Sequence, residues 1–186
     1  ILLFLCIKIG RVQKSSGSID KSPQIQYNEP GSKSNRKIFC CKGSVPMLID
    51  VHTHIFPSKI APKTIKVLEA GFLQVQHKPY YAHTTGTVDG LRQSMKEFGV
   101  DKCVVLPIAT TVKQSESINQ FAVSIDSDDV RSFGSVHPMQ PDYDRVLEEL
   151  AEHGIRGIKL HADYQDFYID CKESIAVLKK AEEWGL

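Results

Sequence analysis

Ile49-Asp50-Val51-His52-Thr53-His54-Ile55 sets two histidines two residues apart at the end of a short apolar run. Alternate side chains of a strand share a face, so His52 and His54 are expected to project together while Ile49, Val51 and Thr53 point the other way. Two neutral imidazoles on one strand face can grip one metal ion. Asp50 falls on the same face, deeper, and reads as a buried anchor rather than a ligand. Pro57 ends the extended stretch and leaves the pair at the C-terminal lip of a strand feeding a helix, where α/β folds place their chemistry. By itself an H-x-H also arises by chance at strand ends, so the rest of the chain has to carry the argument.

From Met47 onward strand and helix signals alternate. Leu48 to His54 is the first expected strand. Pro62 to Ala70 reads as a helix stopped by Gly71, followed by an irregular loop over 72–86. Val88 to Phe98 carries Leu91, Met95 and Phe98 on one helical face, with Gly99 closing it. Lys102 to Ile108 reads as a buried strand. Glu116 to Ile125 places Ile118, Phe121, Ala122 and Ile125 on one helical stripe. Val130 to His137 is the third expected strand, Asp142 the cap of a helix running to His153 with Gly154 as its stop, and Ile155 to His161 the fourth strand. A last helix is expected from about Glu173 to Trp184.

Strands separated by helices in this rhythm predict parallel βαβ units, and four in a row point to a (β/α)₈ TIM barrel or a doubly wound sheet. The dinucleotide-binding alternative lacks its glycine fingerprint, and no phosphate loop, G-x-S-x-G elbow or H-E-x-x-H is present. Polar strand ends converge instead on one lip: His52 and His54, Thr110 and Thr111, Ser135 and His137, Lys159 and His161. Ile158 and Leu160 are expected to face the helices and leave Lys159 and His161 lining the pocket.

The composition, 41% hydrophobic and 24% charged, suits one globular unit. No run approaches the ~18 apolar residues of a membrane span. Five cysteines at 6, 40, 41, 103 and 171 form no C-x-x-C, which argues for reduced thiols and a cytoplasmic setting. The net charge of +1 hides a division at Met47, with a balance of +6 before it and −5 after. Residues 1–46 open with an apolar run and continue polar, basic and without period, a composition expected to be disordered. They fit the tail of an organellar or secretory targeting segment, or upstream sequence foreign to the native protein, since the first Met directly precedes the first strand. Their scattered charges do not make a nucleic-acid arm.

Three motifs in order, Ile49 to Pro57 (I-D-V-H-T-H-I-F-P), Gly134-Ser135-Val136-His137-Pro138 and Gly154-Ile155-Arg156-Gly157-Ile158-Lys159-Leu160-His161, resemble the amidohydrolase-2 family of metal-dependent TIM-barrel hydrolases. The likeness covers Met47 to Leu186. It implies that His52 and His54 bind a divalent metal, usually zinc, together with a fifth-strand histidine and an eighth-strand aspartate. The 140 residues from Met47 to Leu186 fall short of the roughly 250 of a whole barrel, so the expectation is a barrel truncated after about four β/α units, itself inactive. For the intact enzyme the resemblance implies hydrolysis of a C–N or C–O bond of a small carbonyl substrate by a metal-activated water, or non-oxidative decarboxylation, an activity also found in that family. Lys159 would pair with an anionic substrate group, the competing reading being a structural lysine whose amine meets an acidic neighbour. His161 would line the pocket or exchange a proton.

His137 before Pro138 and His153 in a helix's last turn read as structural. A TatD-like deoxyribonuclease also carries H-x-H on its first strand and a His-Pro near its third, but would want a metal-bridging glutamate where this chain has Lys159 and His161. A non-catalytic barrel is the remaining alternative. No membrane or nucleic-acid partner is expected, and self-association would relieve unpaired strand edges.

Overall fold

The computed structural model describes residues 47–77, 79 and 81–186, together with three short strands upstream, β1 (Cys6–Ile7), β2 (Gln24–Tyr27) and β3 (Arg36–Phe39). β2 and β3 pair antiparallel, and β1 lies antiparallel to β4 (Ile49–Thr53) with Cys6 opposite Asp50. The disorder expected of the rest of residues 1–46 concerns positions outside the described residues. Beyond β4 come α1 (Ala61–Gln76), α2 (Val88–Phe98), β5 (Lys102–Val105), a 3₁₀ turn (Val112–Gln114), α3 (Ser115–Ile125), β6 (Val130–Ser132), β7 (Gly134–Ser135), α4 (Tyr143–Glu152), β8 (Ile158–Lys159), α5 (Ala162–Gln165) and α6 (Lys172–Glu183).

β4, β5 and β6 pair parallel in chain order, as do β7 and β8. The result is a mixed α/β fold of alternating strands and helices on parallel sheets, and among the described residues the strands do not close into a barrel. The single strand expected over Val130–His137 is two strands in two sheets. Phe133 is the hinge: its N–H still donates to Val105 O on β5 (2.9 Å), while the next N–H, of Gly134, turns to Gly157 O beside β8 (2.8 Å). Glycine is needed at both sides of that crossing, because a Cβ on Gly134 would lie 2.4 Å from Leu150 Cδ1 and one on Gly157 2.6 Å from the Phe133 ring.

Two apolar cores sit on the helix side. Ile55, Leu91, Met95, Cys103, Val105, Ile125 and Val130 form one, and Val136, Val146, Leu147, Leu150, Ile155, Val177 and Ala181 the other. The helix from Val88 is as expected: Thr87 Oγ1 accepts from Gly90 N at 3.2 Å and Gly99 ends it in the left-handed conformation. α1 differs, running through Gly71 to a left-handed cap at His77. A glycine costs a helix about 1 kcal/mol, which neighbouring helix formers outweigh, so it stops a helix only when the chain then turns left-handed. Asp142 stands at the start of α4 but makes no side-chain cap, its carboxylate being engaged by Arg145 and Gln140 Nε2. On α3 the buried stripe is Ser115, Asn119, Ala122 and Ile125, with Ile118 and Phe121 only half-buried. No described helix is long and apolar enough to cross a membrane. Cys103 and Cys171 are free thiols.

Candidate metal centre

β4 does not alternate cleanly. Its register against β5 shifts between Asp50 and Thr53, and both of these residues are buried. Asp50 turns its carboxylate back to accept from His52 N (3.0 Å), and Thr53 Oγ1 donates to Val104 O (2.9 Å). This irregularity re-aims the chain at the strand's end. The two histidines nevertheless meet: His52 Nε2 and His54 Nε2 are 3.0 Å apart, with ring centroids separated by 5.0 Å and planes inclined at 67°.

His54 is fixed from behind. Its Nδ1 lies 2.8 Å from Leu106 O, an acceptor only, so the Nδ1 carries the proton and the Nε2 lone pair faces His52. One proton then bridges the two Nε2 atoms, donated by His52. Two tetrahedral ligands at ~2.0–2.1 Å from a zinc ion would have nitrogens about 3.3 Å apart, so the pair already stands near a chelating separation. For a cation to take the place of that bridging proton, His52 has to carry its proton on Nδ1 instead, so that both Nε2 lone pairs face the ion and both rings stay neutral. Burial, reinforced by the Lys159 charge, holds His52 below its ordinary pKa, and burial takes His54 down to about 4. Asp50 is pushed upward by burial, against the pull of the His52 N–H. It is an anchor of the strand end, as its position suggested.

Lys159 ends β8 half-buried, and its positive charge depresses His52, His54 and His161 alike. No described carboxylate lies within 4.0 Å of the Lys159 amine. His161 is lowered chiefly by burial and next by Lys159, and its ring stacks on Tyr164 at 4.3 Å and 22°. The structure therefore joins His52 to His54 directly, and the Lys159 charge acts on both of them and on His161.

The other expected lip residues are engaged locally. Thr110 Oγ1 donates to Gln114 Oε1 (2.7 Å) and Thr111 N to the same oxygen (3.2 Å), so both serve the 3₁₀ turn. His137 Nδ1 accepts from Met139 N in the His-Pro turn, and His153 Nδ1 donates to Glu149 O at the end of α4. Ser135 is buried, its Oγ accepting from Ala109 N (2.9 Å) and donating to Lys159 O (3.1 Å).

Two residues absent from the sequence reading hold this lip together. Asn119 clamps the Ser135 backbone, accepting from its N–H (2.9 Å) and donating to its carbonyl (3.0 Å). Gln165 bridges Ala109, Val136 and His161. A signal existed for Asn119, a polar residue on the helical face that carries Ala122. Gln165, in an aromatic-rich stretch after a strand, had none.

Among the described residues no group of three or more His, Cys, Asp and Glu is placed to hold a metal ion. The pair fits a metal as two members of a ligand set and not as a complete one. The chain matches no protein-family model, and no curated protein matches it.

Proposed function

We propose that this chain carries the metal-binding lip of a metal-dependent hydrolase of amidohydrolase type, built on the first four β/α units of a (β/α)₈ barrel. The observation that carries the reading is the 3.0 Å approach of the His52 and His54 Nε2 atoms, with His54 Nδ1 anchored to Leu106 O. Such an anchor fixes the tautomer and aims the lone pair, as second-shell partners of metal-bound histidines do. A divalent ion, zinc by the softness of imidazole ligands, supplies a Lewis acid that polarises a carbonyl and makes water a nucleophile at neutral pH. His52 and His54 hold and orient. Asp50 keeps the strand end in place through the His52 N–H.

Lys159 supplies the substrate's address. A half-buried lysine with no described carboxylate beside its amine favours an anionic group on a small carbonyl compound. The same ammonium disfavours a two-metal nuclease, which needs a carboxylate there. It also suits a decarboxylase, in which a substrate carboxylate is held at the lip, and that lyase reading stands second. His161, next to Lys159 and held largely neutral at pH 7, is the group able to take a proton.

Titration of the chain with Zn²⁺ or Co²⁺, followed calorimetrically and by the Co²⁺ d–d spectrum, tests the centre. Two protein ligands and water should give measurable but weak binding, lost in both His52→Ala and His54→Ala. Unaltered binding in both variants would defeat the assignment.

A further inference from the structure

Gln165 is only 2% exposed, and both ends of its amide are engaged: Nε2 donates to Ala109 O (2.9 Å) and Val136 O (3.0 Å), and Oε1 accepts from His161 N (2.7 Å). Two carbonyl partners on one side and an N–H on the other leave the amide a single orientation. Its partners lie on three separate segments, the chain after β5, the chain after β7 and the corner between β8 and α5. The segment after β5 touches both sides of the candidate centre. Leu106 O receives His54 Nδ1, and three residues on, Ala109 meets Gln165 through its carbonyl and, through its N–H, the Ser135 hydroxyl that donates to Lys159 O.

We propose that Gln165 is a positioning residue that holds Lys159 and His161 in fixed register with the His52–His54 pair. α5 is a single turn of four residues, too short to hold its own shape in water. Its place therefore depends on ties such as this one. Glutamine is the side chain that suits the position: glutamate could not donate to two carbonyls, asparagine is one methylene short, and methionine fills the space without bonding. The catalytic consequence rests on the metal reading above, whereas the register itself does not.

The isotopically labelled 186-residue chain tests this by NMR. In the unaltered protein the His161 amide should exchange at least roughly tenfold more slowly than the exposed amide of Asp163, because its acceptor is buried. The stack on Tyr164 should shift the His161 ring protons upfield, and Co²⁺ added at His52 and His54 should displace them again by a single pseudocontact shift. In Gln165→Met both His161 signatures should collapse toward averaged values while Co²⁺ affinity is retained. Unchanged His161 signals in that variant, or a His161 amide exchanging as fast as Asp163, would overturn the proposal. If the variant does not fold, the exchange rate in the unaltered protein decides. If Co²⁺ does not bind, the metal reading fails alone, and amide exchange and the upfield shift still judge Gln165.

Discussion

His54 shows how one side chain couples stability, acidity and metal affinity. Its pKa falls from the ordinary 6.5 to about 4 in the folded chain, so the folded state refuses a proton that the unfolded state accepts. Above pH 6.5 both states are neutral and the fold keeps its full stability. As the pH drops toward 4 the unfolded state gains protons first, and the metal-free protein should lose roughly 2–3 kcal/mol over that window. Urea midpoints at pH 7 and pH 4.5 should show the slope, and His54→Gln should flatten it. An equal slope in that variant would place the acid sensitivity elsewhere. The same shift protects metal binding at this ligand: a free imidazole competes for protons from about pH 6.5 downward, whereas His54 should keep its lone pair for zinc to a lower pH. Cys103 is the inert counterpart, its thiol pushed up to about 12 by burial and its Sγ 3.5 Å from Met95 Sδ, so it should resist alkylation in the folded chain. At this scale the pair was legible, because spacing alone puts residues i and i+2 together. Its tautomer was not, since Leu106 O lies 52 positions away in sequence.

Elements were legible where a side-chain period and a cap agreed, and blurred where a glycine or a bend had to be weighed. α2 has both signals, Leu91 and Met95 buried on one face and Thr87 and Gly99 at its ends. α1 has Gly71 inside it, with nothing within 4 Å of where a Cβ would stand. Replacing it with alanine relieves the entropic cost without a clash, so Gly71→Ala should stabilise the chain by about 1 kcal/mol, read as a higher urea midpoint. Gly134 makes the opposite case. Its absent Cβ is what lets Leu150, 2% exposed, pack over the crossing from β6 to β7. Gly134→Ala should cost about 1–3 kcal/mol, because the new methyl would force Leu150 to shift within the buried second core. The sequence could not announce that crossing, since Val130 to His137 is extended throughout and the switch of partner at Phe133 depends on what lies on either side.

For the whole molecule, two apolar cores account for the helices, but the C-terminal strand ends are joined by polar side chains. β7 and β8 have two residues each, too little ladder to hold a lip on which metal chemistry could be built. The deficit is met from α3 and α5. Asn119 gives Ser135 the two hydrogen bonds that a neighbouring strand would have given, Ser135 passes one to Ala109 and one to Lys159, and Gln165 closes the circuit at His161. Apart from His161 and Gln165, four positions apart, these partners stand 16 to 56 positions apart, so no local pattern encodes the circuit, and only a polar residue out of place on an apolar helix face hints at it. Asn119 is the member whose loss should separate fold from lip. Asn119→Ala leaves a buried N–H and a buried C=O of Ser135 without partners, and stability should fall by about 2–4 kcal/mol, measurable by urea denaturation. Asn119→Asp keeps an acceptor for the N–H but sets a carboxylate oxygen against the carbonyl, and should be no better. Since Lys159 O is held through Ser135 Oγ, both changes should also loosen the Lys159–His161 segment while leaving His52 and His54, the latter anchored on Leu106 O, able to take up Co²⁺. A loss of stability below about 0.5 kcal/mol in Asn119→Ala would mean that water replaces the clamp and that the strand ends are held by the apolar cores alone.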